Sequence, residues 1–273
     1  MSTPKPNEDE EPYYVYVAMQ AAYDVAAECR FDDAIAGLRH LQRDVDPRKA
    51  GTLANPLDYT LVTEAIADIL CLAGRQDDAR RELTLFLKAH PYSPGAQNIL
   101  AKTSFHRAIS TVDEPARQAT DFNRCANDLL TAEDIYTNGY FTADEQTLRE
   151  LQHETHIVAA ALLKEVYARH NQIKHLVRGH ASYTSLLVSA AEIAGKLKEY
   201  GFAKTFLDRH GEIAPLDVRG LVTNAEIQAR FGQFEDARKT LKLIEVNGEL
   251  STTRTIERIH QLGRNLRALA AGT

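Results

Sequence analysis

Three stretches of this chain share one pattern: CRFDDAIAGL at residues 29–38, GRQDDARREL at 74–83 and GQFEDARKTL at 232–241. Each gives a turn, an acid pair, an alanine and, four residues after it, a leucine. A weaker copy, EYGFAKTFL, stands at 199–207. Ala203 and Ala237 are 34 residues apart, and Ala34 and Ala79 are 45 apart, one such period plus a loop at 51–56. A fixed period of this length constrains the fold more than local propensity does, because each unit must bury its apolar face on the next. The interval from Ala79 to Ala203 is 124 residues, not a multiple of 34, so the middle of the chain holds a divergent repeat and an insertion.

The pattern is that of two helices packed across a tight turn. A residue in the left-handed conformation ends the first helix. Gly74 and Gly232 suit that position, and Cys29 and Lys198 stand there in the other two copies. The acids fall at the start of the second helix, where they are expected to accept free backbone N–H groups and complement the positive helix end. The alanine lets two antiparallel helices approach closely. The leucine lies on the same face one turn later.

With the 34-residue period, the glycine turn, the alanine and leucine, and prolines 12 residues after Ala79 (Pro91) and after Ala203 (Pro215), the chain resembles the tetratricopeptide repeat family. Pro47 lies one residue later in its own copy. Ala22, Ala67, Ala191 and Ala225 occupy the first-helix position where that family prefers a small residue. The family's tryptophan is absent. Its large aromatic late in the first helix is replaced by Val25, Leu70, Ala194 and Gln228.

The expected fold is therefore all-α: a TPR-like antiparallel helix-pair solenoid with a divergent middle and a C-terminal capping helix. A disordered acidic tail is expected at 1–12, repeats at 13–92, a divergent helical section at 93–180, repeats at 181–250 and a cap at 251–273. Residues 48–57 read as a loop, because Gly51, Asn55 and Pro56 interrupt the periodicity. Residues 132–141 carry no assignment. Thr142-Ala143-Asp144-Glu145 reads as a capping box with Thr142 as N-cap, opening a long helix to about Asn171. Whether 95–180 are repeats or a separate bundle stays open. In the cap, Ile256, Ile259, Leu262, Leu266 and Leu269 make one stripe, with Arg254, Glu257, Arg258, Arg264 and Arg267 off it.

Composition narrows the function. Hydrophobic residues are 44% and charged residues 26%, enough for an ordinary core. The net charge is −6 and there is no lysine or arginine block, so no nucleic acid is expected as a direct partner. No apolar run approaches the roughly 20 residues that cross a bilayer, and the first residues lack the pattern of a signal peptide. Cys29, Cys71 and Cys125 have no CxxC spacing and fit free thiols in a reducing cytoplasm.

Neither cofactor, nor metal, nor catalytic residue is expected. Asp77, Asp78 and Glu82 loosely resemble the first metal-binding motif of isoprenoid-processing helical enzymes. The spacing is one residue too long, and Asn127-Asp128 does not complete the second motif. His153, His156, His170, His175 and His180 crowd one region. His170 lies about 21 Å along a helix from His156, at about 1.5 Å per residue, and HETH is not HExxH. Surface or interface histidines are expected instead. The cluster Tyr13, Tyr14 and Tyr16, joined by Tyr23, packs the first repeat or forms an aromatic wall for a partner.

The resemblance implies a concave face lined by first helices. The partner-binding positions would be Tyr16, Met19 and Tyr23, then Leu61, Glu64, Asp68 and Cys71, then Val188, Glu192, Val222 and Glu226. That face is mildly acidic and would repel an acidic peptide. The implied function is a non-catalytic scaffold or adaptor that takes a basic or amphipathic segment of a partner protein. The alternatives are a regulator that senses a peptide or small ligand, and a divergent metal-dependent enzyme.

Overall fold

A computed structural model of the chain describes residues 11–48, 56–141, 143–176, 181–247 and 253–271. These form twelve helices: α1 (Glu11–Ala27), α2 (Phe31–Asp44), α3 (Pro56–Leu72), α4 (Gln76–Ala89), α5 (Pro94–Ser110), α6 (Pro115–Thr137), α7 (Glu145–Leu176), α8 (Ala181–Lys196), α9 (Tyr200–Gly211), α10 (Val218–Arg230), α11 (Phe234–Asn247) and α12 (Thr253–Ala271). No strand occurs among the described residues.

Four turns repeat one geometry. Cys29, Gly74, Lys198 and Gly232 all have positive φ, at 61°, 74°, 63° and 73°. Each is fixed by the same two backbone bonds of a Schellman motif, one spanning five residues and one spanning three. The pairs are Arg30 N–H to Val25 O (3.3 Å) with Cys29 N–H to Ala26 O (2.9 Å), and Arg75 to Leu70 (2.8 Å) with Gly74 to Cys71 (3.0 Å). Glu199 to Ala194 (2.8 Å) with Lys198 to Gly195 (3.1 Å), and Gln233 to Gln228 (2.9 Å) with Gly232 to Ala229 (3.1 Å), complete the set. Downstream, Ala34, Ala79, Ala203 and Ala237 lie at the helix interface and are at most 2% exposed. Ala67, Ala191 and Ala225, their first-helix counterparts, are wholly buried. Small residues on both sides permit the close approach, and Leu38, Leu83 and Leu207 fill the next turn.

The acid pairs do something other than cap. The second helices α2, α4 and α9 receive no side-chain bond at their N-caps. Asp33 instead accepts from Arg30 Nε (2.9 Å) and Asp78 from Arg75 Nε (3.0 Å). Asp32 pairs with Arg75 of the next repeat, and Asp77 pairs with Arg107. Asp32 and Asp77 thus reach beyond their own helix, while Glu235 and Asp236 pair within α11, with Arg238 and Lys239. The cap residue itself has an unusual backbone conformation, with φ −93° and ψ 55° at Arg30, set by the Schellman turn.

Several helix boundaries differ from those expected, each for a local reason. Pro56 and Pro94 are the first residues of α3 and α5, as Pro115 is, in line with expectation, of α6, because a proline there loses no intrahelical bond. Pro56 therefore starts a helix rather than breaking one, and α3 opens ahead of the expected 61. Of the expected loop, residues 49–55 lie outside the described residues. Residues 11 and 12 of the expected tail belong to α1, and residues 1–10 lie outside the description. Helix α6 continues through 132–137, closed by Gly139 at φ 67°. The N-cap of α7 is Asp144, which accepts from Thr147 N–H (2.9 Å) and Thr147 Oγ1 (2.6 Å). The expected cap Thr142 lies outside the described residues, as does most of the expected break at 176–179.

The chain divides into two compact units, one drawn from Met1–Arg107 with Thr131–Gln152 and the other from Ala108–Leu130 with His153–Thr273. The middle section has no body of its own. In unit 1, α1, α2, α3 and α4 pack as pair on pair, with the first helices α1 and α3 also touching. Their core runs from Val15 through Leu38, Ile66 and Leu83 to Leu100. Asn98 on α5 donates to Tyr136 Oη (3.2 Å) and Leu151 O (3.3 Å). In unit 2, α8 with α9 and α10 with α11 repeat the arrangement, and α12 packs on α10 and α11 as a further first helix would. Its apolar seam is Leu262 and Leu266 against Ala225 and Ala237.

Candidate functional site

Aligned on the first-helix alanine, the anticipated partner-binding residues other than Cys71 fall into three rows. The row one residue after the alanine is Tyr23, Asp68, Glu192 and Glu226. The row three before it is Met19, Glu64, Val188 and Val222. The row six before it begins Tyr16, Leu61 and continues through Ser185 to Arg219.

In unit 1 the first row makes a contact between neighbouring first helices: Tyr23 Oη donates to Asp68 Oδ2 (3.3 Å). Met19, Tyr23, Leu61, Glu64 and Asp68 are all half-buried, and Tyr16 is 56% exposed. Glu64 sits at the start of α5, where Ser93 Oγ donates to it (2.6 Å). Gly95 makes this possible, because a Cβ there would stand 2.5 Å from the Glu64 carboxylate. A carboxylate at a helix N-terminus is favoured by the macrodipole. Cys71 shares a 3.0 Å bond with Thr103 Oγ1, and burial pushes its thiol pKa up, which disfavours the reactive thiolate.

Unit 2 treats the same rows differently. Val188 and Val222 are core residues at 1% and 0% exposure, and Glu192 is 5% exposed. None of these three is presented to a partner. For Glu192 the cause is the pair of arginines that meet it, Arg219 on α10 and Arg258 on α12, which lies where a following first helix would. Arg219 Nε and Nη2 grip both oxygens of Glu192 (2.9 and 2.6 Å). Arg258 of α12 bonds Glu192 Oε1 through Nη1, and bonds Glu226 through Nε (2.9 Å) and Nη2 (2.6 Å). Its Nη2 also reaches Thr223 Oγ1 (3.1 Å). Burial pushes the Glu192 carboxyl up, but the two arginines outweigh it and hold it at about 2. Burial likewise disfavours the charge on Arg258, and Glu226 with Glu192 more than offsets it. Glu226 remains half-buried.

Arg258 was expected off the apolar stripe of α12, yet it points inward. The buried side of α12 is Thr255, Arg258, Leu262 and Leu266, with Arg258 only 20% exposed. Ile256 is 40% exposed, and the side chains of Arg254 and Leu269 lie outside the description. Arg219 was missed too, although it shares a register position with Tyr16 and Leu61. That register was the available signal.

The other candidates disperse. Asp77 pairs with Arg107, Asp78 with Arg75 and Arg81, and Glu82 with Arg39 through two bonds (2.7 and 2.6 Å), so the three carboxylates serve different cations. Among the described residues no group of three or more His, Cys, Asp and Glu could hold a metal ion. His153, His156 and His175 are exposed, and His180 lies outside the description. His170 is buried, contrary to a surface role, and shares a 2.6 Å bond between Nδ1 and Tyr183 Oη. Burial, with Arg209 and Lys174 nearby, lowers its pKa to about 4. Tyr14 and Tyr16 are exposed, Tyr23 is half-buried, and the Tyr13 side chain lies outside the description. No described helix is long and apolar enough to cross a membrane.

Helix pairs closed by repeated Schellman turns, stacked first helix to first helix, define a TPR-like helical-repeat fold. No protein-family model matches the chain, and no curated protein matches it significantly. Among solved structures, it is similar to a tetratricopeptide repeat protein from Parabacteroides merdae, at 14% identity over 91% of this chain and 98% of that one, with a TM-score of 0.29. It is also similar to Acl4, the assembly chaperone of RpL4 (residues 1–338), at 13% identity over 94% of this chain and 97% of that one, with a TM-score of 0.30.

Proposed function

We propose that the protein is a non-catalytic adaptor that binds a basic or amphipathic segment of another protein on the first-helix face of unit 1. The observation that carries this reading is the state of Asp68. It is half-buried on the helix that also carries Leu61, and it accepts a hydrogen bond from the neutral phenol of Tyr23 on the adjoining first helix. A carboxylate in such a setting gains most from a cationic donor, since charge-assisted bonds are roughly twice as strong as neutral ones. Tyr16, exposed on the same row as Leu61, adds an aromatic surface suited to an interface. The acids of the repeat turns are engaged in surface ion pairs and offer no converging catalytic constellation.

The test starts with affinity capture from the native cytoplasm and identification of the partner by mass spectrometry. Its binding is then measured to the wild type and to the Glu64→Lys, Asp68→Lys variant. Binding should fall at least tenfold. A partner that binds both forms equally removes this face from the function.

A further inference from the structure

In unit 2 the first-helix face is already filled, and what fills it has a definite chemistry. Helix α12 presents Arg258, Leu262 and Leu266 at intervals of four residues on one side. The guanidinium reaches Glu192, Glu226 and Thr223, and the leucines meet Ala225 and Ala237. Two features make this seat able to exchange its occupant. Glu192, the more buried acid, keeps the two bonds from Arg219 whether or not Arg258 is present, so a departing α12 leaves no isolated buried charge. Glu226 is 37% exposed in its side chain and can be solvated. The apolar hold of α12 within this cluster is limited to Leu262 and Leu266, and Ile256 is not covered.

We infer that the Glu192–Thr223–Glu226 cradle is an arginine-reading docking site, held by α12 as an in-chain ligand. It takes a partner's amphipathic helix that carries arginine and two leucines at the same four-residue spacing. The planar guanidinium matters, because the cradle presents acceptors to Nε and to both Nη atoms, a fork that a lysine ammonium does not reproduce. Negative charge at both acids selects a basic occupant, in keeping with the cation already seated there. This site is separate from the unit 1 face, and the two proposals stand or fall independently.

The test uses the full chain and a fluorescent designed helical peptide that retains only the Arg-x-x-x-Leu-x-x-x-Leu positions on an unrelated polar background. Anisotropy should show at least tenfold tighter binding to a Leu262→Ala, Leu266→Ala chain than to the wild type, because the resident helix is loosened. Replacing the peptide arginine by lysine, or Glu192 by Gln in the loosened chain, should each cost tenfold or more. Circular dichroism confirms that the variants are folded. If the loosened chain does not fold, hydrogen exchange on the wild type takes its place. Saturating peptide should then speed exchange in α12 at least fivefold, and the lysine peptide should not. Charge reversal at Glu64 and Asp68 should leave peptide binding unchanged. Equal binding by arginine and lysine peptides, or equal binding to tight and loosened chains, overturns the proposal. So does a loosened chain that dimerises by light scattering and excludes the peptide, since the occupant would then be α12 of a second copy.

Discussion

The two units place polar side chains at the same register position of their first helices and satisfy them by different means. In unit 1 the pair is Tyr23 and Asp68, and a phenol meets a carboxylate directly. In unit 2 the pair is Glu192 and Glu226, two acids that cannot meet without a cation between them. Arg258 supplies it from α12, and Arg219 reinforces it from the row that holds Tyr16 and Leu61 in unit 1. Tyrosine and aspartate in one pair, two glutamates in the other, thus separate a face that stays partly open from one that needs a third helix to complete it. A repeat fixes which positions face one another, and the residues written there decide whether the surface is used inside the chain or outside it.

The largest predicted effect tests that difference directly. Glu192→Ala leaves Arg219 and Arg258, 30% and 20% exposed, beside an emptied buried site, and breaking a buried pair in this way costs up to about 3–5 kcal/mol. The register-equivalent Asp68→Ala removes one bond to a half-buried phenol, which is expected to cost only about 1 kcal/mol. Urea unfolding of both variants measures the contrast. Similar losses would mean that the Glu192 network does not set unit 2 apart.

The next effect is a pH dependence that belongs to unit 2. His170 is buried against Tyr183, with Arg209, Lys174, Glu212 and His175 contributing to its field, and its pKa is lowered from 6.5 to about 4. The unfolded chain therefore binds a proton between these values that the folded chain does not. Stability is complete above about pH 6.5 and falls as the pH drops toward about 4. His210, also buried and lowered, acts in the same direction. Glu192 adds a separate loss from 4.5 down to about 2, as its carboxylate is protonated. His170→Phe should reduce the loss in the upper window, leaving the share of His210, and should not change the lower one, as read from thermal melts across pH. An unchanged profile would show that His170 does not govern it.

Much of the fold was legible because its grammar is local. The Schellman turn, the small alanine and the following leucine all lie within ten residues, so period and pattern identify them without tertiary knowledge. The left-handed turn expected at Gly74 and Gly232 also forms at Cys29 and Lys198, which stand at the corresponding places without being glycine. The acids do lie in the first turns of α2, α4 and α11, but their capping role was misjudged at α2 and α4, because capping and pairing place the same residue at the same spot. Only the arginine partners at 75 and 107, in other repeats, decide between them. The site was less legible for the same reason. Val188, Glu192 and Val222 looked open on register alone, yet all three are buried, and Glu192 is closed over by Arg258 of α12, which looked like a surface residue. Helix periodicity locates an apolar stripe only to within about one residue, and here that turned an arginine inward.

A smaller effect separates turns that share a geometry but not a residue. A side chain at positive φ costs roughly 1–2 kcal/mol relative to the usual helix region, while glycine loses more entropy on folding. Lys198→Gly should therefore stabilise unit 2 by up to about 1 kcal/mol, and Gly74→Ala should destabilise unit 1 by about 1 kcal/mol. A Cβ at Gly74 meets nothing within 4 Å, so that cost is conformational and not steric. Opposite signs in chemical unfolding support a common turn. A stabilising Gly74→Ala would show that the turn relaxes differently in the two units.

The smallest expected effect belongs to the acids that first draw the eye. Arg75 joins Asp32 of one repeat to Asp78 of its own, and all three side chains are well exposed, at 45%, 93% and 40%. Exposed pairs of this kind are worth about 0–1 kcal/mol and are weakened by salt. Arg75→Ala should change stability by no more than about 0.5 kcal/mol, and that difference should vanish in high salt. The buried Glu192–Arg258 contact differs in kind, because salt screens buried charges poorly. Repeating the Glu192→Ala comparison at high salt should leave most of its loss in place. If instead both effects fade together as salt rises, the arginines of unit 2 are solvated like those on the turns, and the face they occupy is as open as that of unit 1.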